Sequence, residues 1–104
     1  MRILVTGAGG FAGRHLVREL ARHGHDVFAF DLAFPCPVVG AAGAHTGDLR
    51  DPEAVRGLFA AARPEACIHL GGMSFVPAGK SNPDAMLSVN IMGALHVLDA
   101  ARAQ

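Results

Sequence analysis

A short apolar strand that runs directly into a glycine-dense turn limits what this chain can fold into more than any other feature. Residues 2–13 read Arg-Ile-Leu-Val-Thr-Gly-Ala-Gly-Gly-Phe-Ala-Gly, and a helical apolar pattern begins at their end. Small residues at such a corner allow a tight turn and close packing of the helix on the strand. We therefore predict a strand, a turn and a helix whose first amides and positive dipole end face an anionic group.

The spacing of the small residues is typical of a dinucleotide-binding turn. Gly7, Gly9 and Ala12 fit the pattern G-x-G-x-x-G/A. Gly7 also begins an overlapping G-x-x-G-x-x-G spacing with Gly10 and Gly13. In such turns the backbone comes close to a pyrophosphate, which lies at the N-terminus of the helix.

An acidic residue closes the second predicted strand, because the apolar run 26–30 is followed by Asp31. A carboxylate about 20 positions after the glycines, at the end of the second strand, is the expected partner of an adenosine ribose 2′-hydroxyl. The alternative interpretation is an ordinary βαβ turn with a solvent-exposed Asp31. The complete context of strand, turn, helix and second strand disfavours that alternative.

Strand and helix patterns alternate along the whole chain. Strands are predicted at 2–6, 26–30, 43–47 and 65–70, helices at 11–23, 52–62 and 83–102, and loops at 32–42 and 71–82. This alternation predicts an α/β fold, a Rossmann-type doubly wound parallel sheet of about four strands with crossover helices. With 104 residues we expect one domain, 1–104. The last helix is apolar around most of its circumference, so we expect protein on more than one side of it.

The charge and hydropathy of the chain disfavour two classes of partner. Nine Lys and Arg residues balance nine Asp and Glu residues without forming a basic run. Nucleic-acid binding and attachment to an anionic membrane surface therefore lack electrostatic support. No stretch reaches the roughly 18 uninterrupted apolar residues that a membrane-spanning helix needs. We expect neither a nucleic-acid nor a membrane partner.

The cysteines and histidines predict neither a disulfide nor a metal site. Cys36 lies in a proline-flanked loop and Cys67 in a predicted strand, and two such thiols without export features are typical of a reduced, cytoplasmic protein. Since the chain starts directly in a strand, we expect no secretory signal. His23 and His25 have no partner at metal-ligand spacing, and we expect both at the surface.

A turn after the third predicted strand contains a candidate adenine-binding pair. Asp48 could accept a hydrogen bond from an adenine amino group while Leu49 packs on the ring. The alternative is that Asp48 is only a turn residue before Asp51, which caps the next helix. The residues alone leave both interpretations open.

A second glycine turn follows the fourth predicted strand. In an open α/β sheet a ligand lies across the carboxyl ends of the strands where the strand order reverses, and the first and fourth strands flank that point. Gly71 and Gly72 would let the backbone approach such a ligand, or they form a plain turn. We interpret the nearby His69 as a hydrogen-bonded core histidine.

Together these motifs resemble those of one known family. The matching segments are Thr-Gly-Ala-Gly-Gly-Phe-Ala-Gly at 6–13, Asp31, Gly-Asp-Leu at 47–49, His-Leu-Gly-Gly-Met-Ser at 69–74, and Asn-Pro at 82–83 through Val-Asn-Ile-Met-Gly at 89–93. Their order and spacing resemble the N-terminal part of extended short-chain dehydrogenases/reductases, the NAD-dependent epimerase/dehydratase family. The chain is similar to its GDP-mannose 4,6-dehydratase, GDP-4-keto-6-deoxymannose reductase and UDP-glucose 4-epimerase branches, so the resemblance implies a nucleotide-sugar substrate.

The resemblance also implies a role for each matching residue. Asp48 and Leu49 would meet adenine, and Ser74 would lie near the nicotinamide-side ribose. Val89 would only pack against the cofactor, and Asn90 would be structural. The residues that would bind NAD are Gly7, Gly9, Gly10, Phe11, Ala12, Gly13, Asp31, Asp48, Leu49, Leu70, Gly71, Gly72 and Ser74.

Two departures from the family pattern bear on the cofactor. Family members often carry Ala-Ala where this chain has Gly71 and Gly72, which should loosen that turn. The loop 33–45 is short and has no evident Arg or Lys clamp. Since Asp31 would repel a 2′-phosphate, the resemblance implies NAD as the cofactor in preference to NADP.

The family's catalytic residues have no counterpart in this sequence. The family's chemistry needs a Ser or Thr and a Tyr-x-x-x-Lys pair, but the chain has no tyrosine and its only lysine is Lys80. We therefore expect an N-terminal, cofactor-binding part that is inactive alone, and we assign no catalytic residue. We also expect the exposed edge 66–70 to promote self-association. A stand-alone NAD-binding module without catalysis is the alternative.

A remote alternative is a P-loop-like nucleotide-binding protein. Residues 74–81 read Ser-Phe-Val-Pro-Ala-Gly-Lys-Ser and end like the pattern G-x-x-x-x-G-K-[ST]. Ser74, however, stands where the pattern requires glycine, and Pro77 removes one backbone donor from the loop. These mismatches disfavour the alternative.

Overall fold

Four parallel strands form the sheet of this protein. The computed structural model describes residues 1–74 and 76–104. The strands are β1 (Arg2–Thr6), β2 (Asp26–Asp31), β3 (Gly43–Thr46) and β4 (Ala66–His69), in the spatial order β3-β2-β1-β4. The helices are α1 (Phe11–Arg22), α2 (Pro52–Ala62), α3 (Val76–Ser81), α4 (Pro83–Leu87) and α5 (Gly93–Ala103), with a π-helical segment (Ser88–Met92) between α4 and α5.

The strand order reverses between β1 and β4. From β1 the chain adds β2 and then β3 on one side, and it crosses back to add β4 on the other. Thr6 at the end of β1 pairs with Phe30 of β2 and with His69 of β4, so the three strands end level with one another. This carboxyl edge is where ligands bind in open α/β sheets, and the predicted fold class is confirmed.

Each face of the sheet has its own hydrophobic core. Leu4 and Phe30 point to one face, where they pack with the buried side of α2 and with Val97 of α5. Ile3 and Val5 point to the other face, where α1 covers them together with the loop 32–42. This loop replaces the crossover helix that a βαβ unit usually has, and its apolar residues Phe34, Val38 and Ala41 pack against the core of that face.

The segment after β4 differs from its prediction. Residues 71–82 were expected to form a loop, but residues 76–81 form α3. Pro77 and Gly79 are typical of loops, yet proline is tolerated in the first turn of a helix, where its missing N–H has no intrahelical partner. The P-loop alternative falls on the same segment; its phosphate-binding loop would have to include residues that α3 holds in a helix, although Phe75 lies outside the described residues.

The predicted last helix, 83–102, is divided by the π-helical segment. Asn90 lies in that segment and binds the backbone of Met73, accepting from its N–H at 2.7 Å and donating to its carbonyl at 2.8 Å. These two bonds confirm a structural role for Asn90. A widened turn within a helix is often found at functional sites, and here it lies beside the loop that leaves β4.

The outer side of this helical region carries exposed apolar side chains. Val97 and Ala100 of α5 are buried against α2, whereas Leu87, Ile91 and Leu98 are more than half exposed. The described residues therefore cover the region on one side only. β4 is an edge strand of the described sheet and carries no Lys, Arg, Asp or Glu, so self-association remains a prediction. None of the described helices is long and apolar enough to span a bilayer.

Candidate functional site

Gly7 joins the end of β1 to the turn in a conformation that favours glycine. Its φ is +69°, and a Cβ added there would lie 2.7 Å from the backbone N of Gly71 and from the carbonyl carbon of Leu70. The turn after β1 thus runs against the backbone that leaves β4. Any side chain at Gly7 would displace the backbone that follows β4, so glycine is needed for the ends of β1 and β4 to lie in contact.

Gly13 brings the first turn of α1 against the same loop. A Cβ on Gly13 would overlap the carbonyl oxygen of Gly7 and would lie 2.6 Å from the Cα of Ala8. Ala8 in turn donates its N–H to the carbonyl of Phe30 at 3.1 Å. Gly13 is therefore the position at which the helix packs tightly, as the second of the two predicted spacings requires. The neighbouring Ala12 is exposed.

The amides that begin α1 carry no capping side chain. Two other helices, α2 and α4, begin conventionally, since Asp51 accepts from the N–H of Glu53 at 3.0 Å and Asn82 accepts from the N–H of Ala85 at 3.2 Å. Within the described residues, α1 has neither a side-chain cap nor an acidic residue in its first turn. Its first N–H groups and its positive dipole end are consequently available to an external anion.

Asp31 lies directly beside this turn. Its Oδ2 accepts the N–H of Gly9 at 2.9 Å, and its Oδ1 accepts the N–H of Leu32 at 2.7 Å. A carboxylate offers about four lone-pair sites, so capacity remains for two further donors such as the hydroxyls of a ribose. The sequence spacing that linked Asp31 to the glycines thus corresponds to a direct hydrogen bond.

A cleft of about 230 Å³ opens beside Asp31 at the carboxyl edge of the sheet. We call it the edge cleft. Its volume lies below the 300–1,000 Å³ that is typical of small-molecule sites, so it suits part of an extended ligand. The edge cleft is lined by Gly7, Phe30, Asp31, Leu32, Gly47, Asp48, Leu49, Arg50, Gly71, Gly72, Met73, Ala85 and Val89.

Asp48 and Arg50 form an ion pair in the edge cleft. The Arg50 Nη2 lies 2.6 Å from the Asp48 Oδ2, and the Arg50 Nε lies 3.0 Å from both carboxylate oxygens. The Arg50 backbone N–H donates to the same carboxylate at 2.9 Å. Chiefly through the side-chain hydrogen bond from Arg50, the pKa of Asp48 is held below its ordinary value. The carboxylate is thus an ionised acceptor near neutral pH.

Leu49 connects the edge cleft to the core. Its side chain is 9% exposed and belongs to the core that α2 and α5 cover. Its carbonyl accepts the Nδ1–H of His96 at 2.7 Å, which ties the turn after β3 to α5. Leu49 also lines the edge cleft, and the packing of its side chain on a ligand ring stays a prediction.

A buried hydroxyl joins the ends of β1 and β4. Thr6 has no exposed surface; its Oγ1 accepts the N–H of Gly71 at 3.1 Å and lies 2.6 Å from the Nδ1 of His69. A hydroxyl has one donor and two acceptor sites, so Thr6 can bond to Gly71 and to His69 at the same time. Burial lowers the pKa of His69 below its ordinary value. The predicted hydrogen bond of His69 is confirmed, but the residue is partly buried at the end of β4 and does not belong to either core.

This arrangement predicts a pH dependence of stability. The unfolded chain protonates His69 near the ordinary pKa of 6.5, whereas the folded chain does so only at lower pH. Its contribution to the free energy of unfolding is therefore complete above about pH 6.5 and is lost as the pH falls through the lowered folded pKa. Replacing His69 with Asn keeps a polar group that can bond to Thr6 but removes the titrating imidazole. Urea unfolding from pH 8 to pH 5 should show a smaller loss of stability in His69→Asn than in the wild type, and equal losses would contradict this assignment.

The structure brings most of the predicted residues together, but not into one cavity. Six of them line the edge cleft: Gly7, Asp31, Asp48, Leu49, Gly71 and Gly72. The remaining predicted residues lie around it, on the glycine turn, at the start of α1 and beyond β4: Gly9, Gly10, Phe11, Ala12, Gly13, Leu70 and Ser74.

Sequence reasoning missed two residues of the site. Arg50 lines the edge cleft and binds Asp48, and His96 fixes the turn after β3. Arg50 could have been found from the sequence, because it follows Asp48 at i, i+2 spacing in a turn after a strand. His96 is 47 positions from Leu49, so only the crossover geometry reveals it.

Comparisons with known proteins agree with the resemblance that the motifs indicate. Residues 3–104 match the model of a family described as the NAD dependent epimerase/dehydratase family. A 2-alkyl-3-oxoalkanoate reductase of Stenotrophomonas maltophilia is 39% identical over 104 residues, and a GDP-6-deoxy-D-mannose reductase of Pseudomonas aeruginosa is 35% identical over 103 residues. Each match covers 99% of this chain.

A solved structure shares both the fold and the sequence pattern. The crystal structure of a Thermus thermophilus UDP-glucose 4-epimerase in complex with NAD superposes with a TM-score of 0.90 at 32% identity, over 99% of this chain and 34% of that one. The chain spans about 30% of the length of the two reductases. The similarity therefore extends over the described fold and over a minor part of each relative.

Proposed function

The chain belongs to the NAD dependent epimerase/dehydratase family, and from that membership we propose that residues 1–104 are the N-terminal, NAD-binding part of an NAD-dependent enzyme that acts on a nucleotide sugar. One observation carries the proposal. The uncapped start of α1 lies against the end of β1, and Asp31 is hydrogen-bonded to Gly9 of the intervening turn. A group that can bind an anion, the start of α1, thus lies beside a group that can bind hydroxyls, the Asp31 carboxylate, at the carboxyl edge of the sheet.

The residues fit the two halves of the adenosine diphosphate moiety of NAD. The N–H groups of Phe11, Ala12 and Gly13 would hold the pyrophosphate, because helix N-termini stabilise negative charge, whereas Gly10 donates its N–H to the carbonyl of Gly7 at 3.2 Å and would line the turn beside it. The carboxylate of Asp31 would accept the hydroxyls of the adenosine ribose. When bound, NAD supplies reversible hydride transfer, and these residues of the chain bind and orient it.

The edge cleft is the proposed adenine site. Asp48 would accept from the adenine amino group, and the backbone N–H of Leu49 would donate to a ring nitrogen. Leu70, Gly71 and Gly72 would run beneath the cofactor where the two strand ends meet, and Val89 would pack against it. The exposed Ser74 would lie toward the nicotinamide-side ribose.

We further propose that NAD is preferred over NADP. A 2′-phosphate placed at the ribose would meet the carboxylate of Asp31. Arg50 is the guanidinium among the residues that line the edge cleft, but its Nε and Nη2 are already bonded to Asp48. The cation that could favour a 2′-phosphate is therefore engaged by a carboxylate.

Titration calorimetry of the chain with NAD and with NADP tests the cofactor assignment. We expect saturable NAD binding and at least about tenfold weaker NADP binding. In NADP the 2′-phosphate replaces a ribose hydroxyl, so a charge-assisted hydrogen bond to Asp31 is lost and the two negative charges repel each other. Tighter binding of NADP would contradict the role given to Asp31. No binding of either dinucleotide at millimolar concentration would contradict the proposed function itself.

The nucleotide-sugar assignment rests on relatives named for such substrates, among them the GDP-6-deoxy-D-mannose reductase and the UDP-glucose 4-epimerase. A 2-alkyl-3-oxo acid is the second candidate substrate, because the 39% identical relative is named for it. The chain contains no tyrosine, and we propose that it is inactive alone. Absence of turnover with a UDP-sugar, a GDP-sugar and a 2-alkyl-3-oxo acid would agree with this. Turnover of any of the three would contradict it, and turnover of the oxo acid alone would also contradict the nucleotide-sugar assignment.

A further inference from the structure

The ion pair between Asp48 and Arg50 differs from the other arginine–carboxylate pairs of the described residues in its place and geometry. The pairs Glu19–Arg22, Glu53–Arg56 and Asp99–Arg102 each lie on an exposed helix surface at i, i+3 spacing. The Asp48–Arg50 pair lies in a turn between β3 and α2, and both residues line the edge cleft.

The turn that carries this pair is anchored at both ends. Gly47 donates its N–H to the carbonyl of Asp31 at 3.0 Å, and Asp51 donates its N–H to the carbonyl of Asp48 at 3.0 Å. Asp51 then caps α2. The backbone of Asp48 is therefore held at both ends, and Arg50 orients its carboxylate through both backbone and side-chain N–H groups.

The hydrogen bonds of the carboxylate leave a defined remaining capacity. Three N–H groups of Arg50 reach Asp48: the backbone N–H, the Nε–H, which lies equally far from both oxygens, and one Nη2–H. An ionised carboxylate has about four lone-pair sites and no proton to donate. One further donor can be accepted, and a group that presents only an acceptor is rejected.

We propose that Arg50 is a positioning residue that holds Asp48 as a single-donor acceptor and thereby makes the edge cleft selective for a 6-aminopurine. This inference rests on the proposed function, which places the base of the dinucleotide in the edge cleft. Adenine presents an amino N–H at position 6, whereas hypoxanthine presents a carbonyl oxygen there. Arg50 acts through Asp48 and needs no contact with the base.

The test compares NAD with nicotinamide hypoxanthine dinucleotide, which differs in the base. Because both ligands are titrated into the same sample, the ratio of their dissociation constants is independent of the folded fraction. We expect the wild type to favour NAD by about tenfold, the value of one hydrogen bond to a charged group. In Arg50→Met this preference should fall at least about threefold, and Arg50→Lys should restore only part of it, since lysine lacks the planar fork of arginine.

Two further variants separate this inference from its alternatives. Arg56→Met removes a comparable arginine–carboxylate pair, with Glu53, outside the edge cleft, and it should leave the ratio unchanged. Asp48→Asn should lower the preference, and adding Arg50→Met to it should have no further effect. An unchanged ratio in Arg50→Met alongside a lowered ratio in Asp48→Asn would overturn the role of Arg50 and leave the adenine site intact.

NADP supplies the remaining arm of the experiment. If Arg50→Met weakens NADP more than NAD, Arg50 is a phosphate ligand and the positioning role is overturned. If the wild type binds NAD without distinguishing it from the hypoxanthine analogue, the adenine site is misplaced and this inference fails with it. If the wild type binds none of the dinucleotides, the proposed function is contradicted, and this inference is contradicted with it.

Discussion

Replacing Gly13 with alanine is expected to lower the free energy of unfolding by about 1–3 kcal/mol, the usual cost of overfilling a packed site. The added methyl would overlap the carbonyl oxygen of Gly7 and would press on the backbone of Ala8. Since all of these neighbours are backbone atoms of the turn, the start of α1 must move away from β1. NAD affinity should fall as well, because the amides that begin α1 would be displaced.

Gly57→Ala is the matched control for this variant. Gly57 is exposed on α2 and has nothing within 4 Å of an added Cβ. There, alanine should raise the free energy of unfolding by about 0.5–1 kcal/mol, since glycine is the poorer helix former. Chemical denaturation followed by circular dichroism measures both changes. Equal effects of the two substitutions would show that Gly13 is not packed as described.

Replacing Asp31 with alanine is expected to weaken NAD binding by about 10- to 100-fold, the range for hydrogen bonds to a charged group. The variant loses the proposed acceptor of the ribose hydroxyls and also the carboxylate that holds the N–H of Gly9. Calorimetric titration with NAD measures the change. Asp26→Ala, at the other, exposed end of β2, is the control and should bind NAD as the wild type does.

Asp31→Asn separates the effect of the negative charge from the effect of the hydrogen bond to Gly9. Asparagine keeps one oxygen for the N–H of Gly9 but removes the negative charge that would oppose a 2′-phosphate. We expect the ratio of NADP affinity to NAD affinity to rise in this variant. A ratio equal to that of the wild type would mean that the charge of Asp31 does not discriminate between the two cofactors.

The strand–turn–helix corner was predictable because its determinants are local. A buried strand needs an apolar run, the tight turn needs small residues, and the helix shows its period within one segment. The position of Asp31 was also predictable, since parallel β1 and β2 end at the same edge. The conformation of the turn and the position of Asp31 beside it could therefore be predicted from the sequence.

Other features depended on contacts between distant segments. The pattern around Pro77 and Gly79 favoured a loop, whereas residues 76–81 form the helix α3. The bond between His96 and the carbonyl of Leu49 joins α5 to a turn 47 positions away. In the sequence, Arg50 is one more charged turn residue. Its position at the site is visible only in the structure, because several separate segments of the chain form the edge cleft that it lines.

The central claim, that the amides beginning α1 bind the diphosphate of NAD, can be tested with two ligands by nitrogen-15 NMR of the chain. Titration with NAD should shift the amide signals of Gly10, Phe11, Ala12 and Gly13 most strongly and saturably. Adenosine, which lacks phosphate, should shift Leu49 and its neighbours and leave those four signals in place. Saturable NAD binding that leaves the four amide signals unmoved, or adenosine shifting them as much as NAD does, would contradict the account.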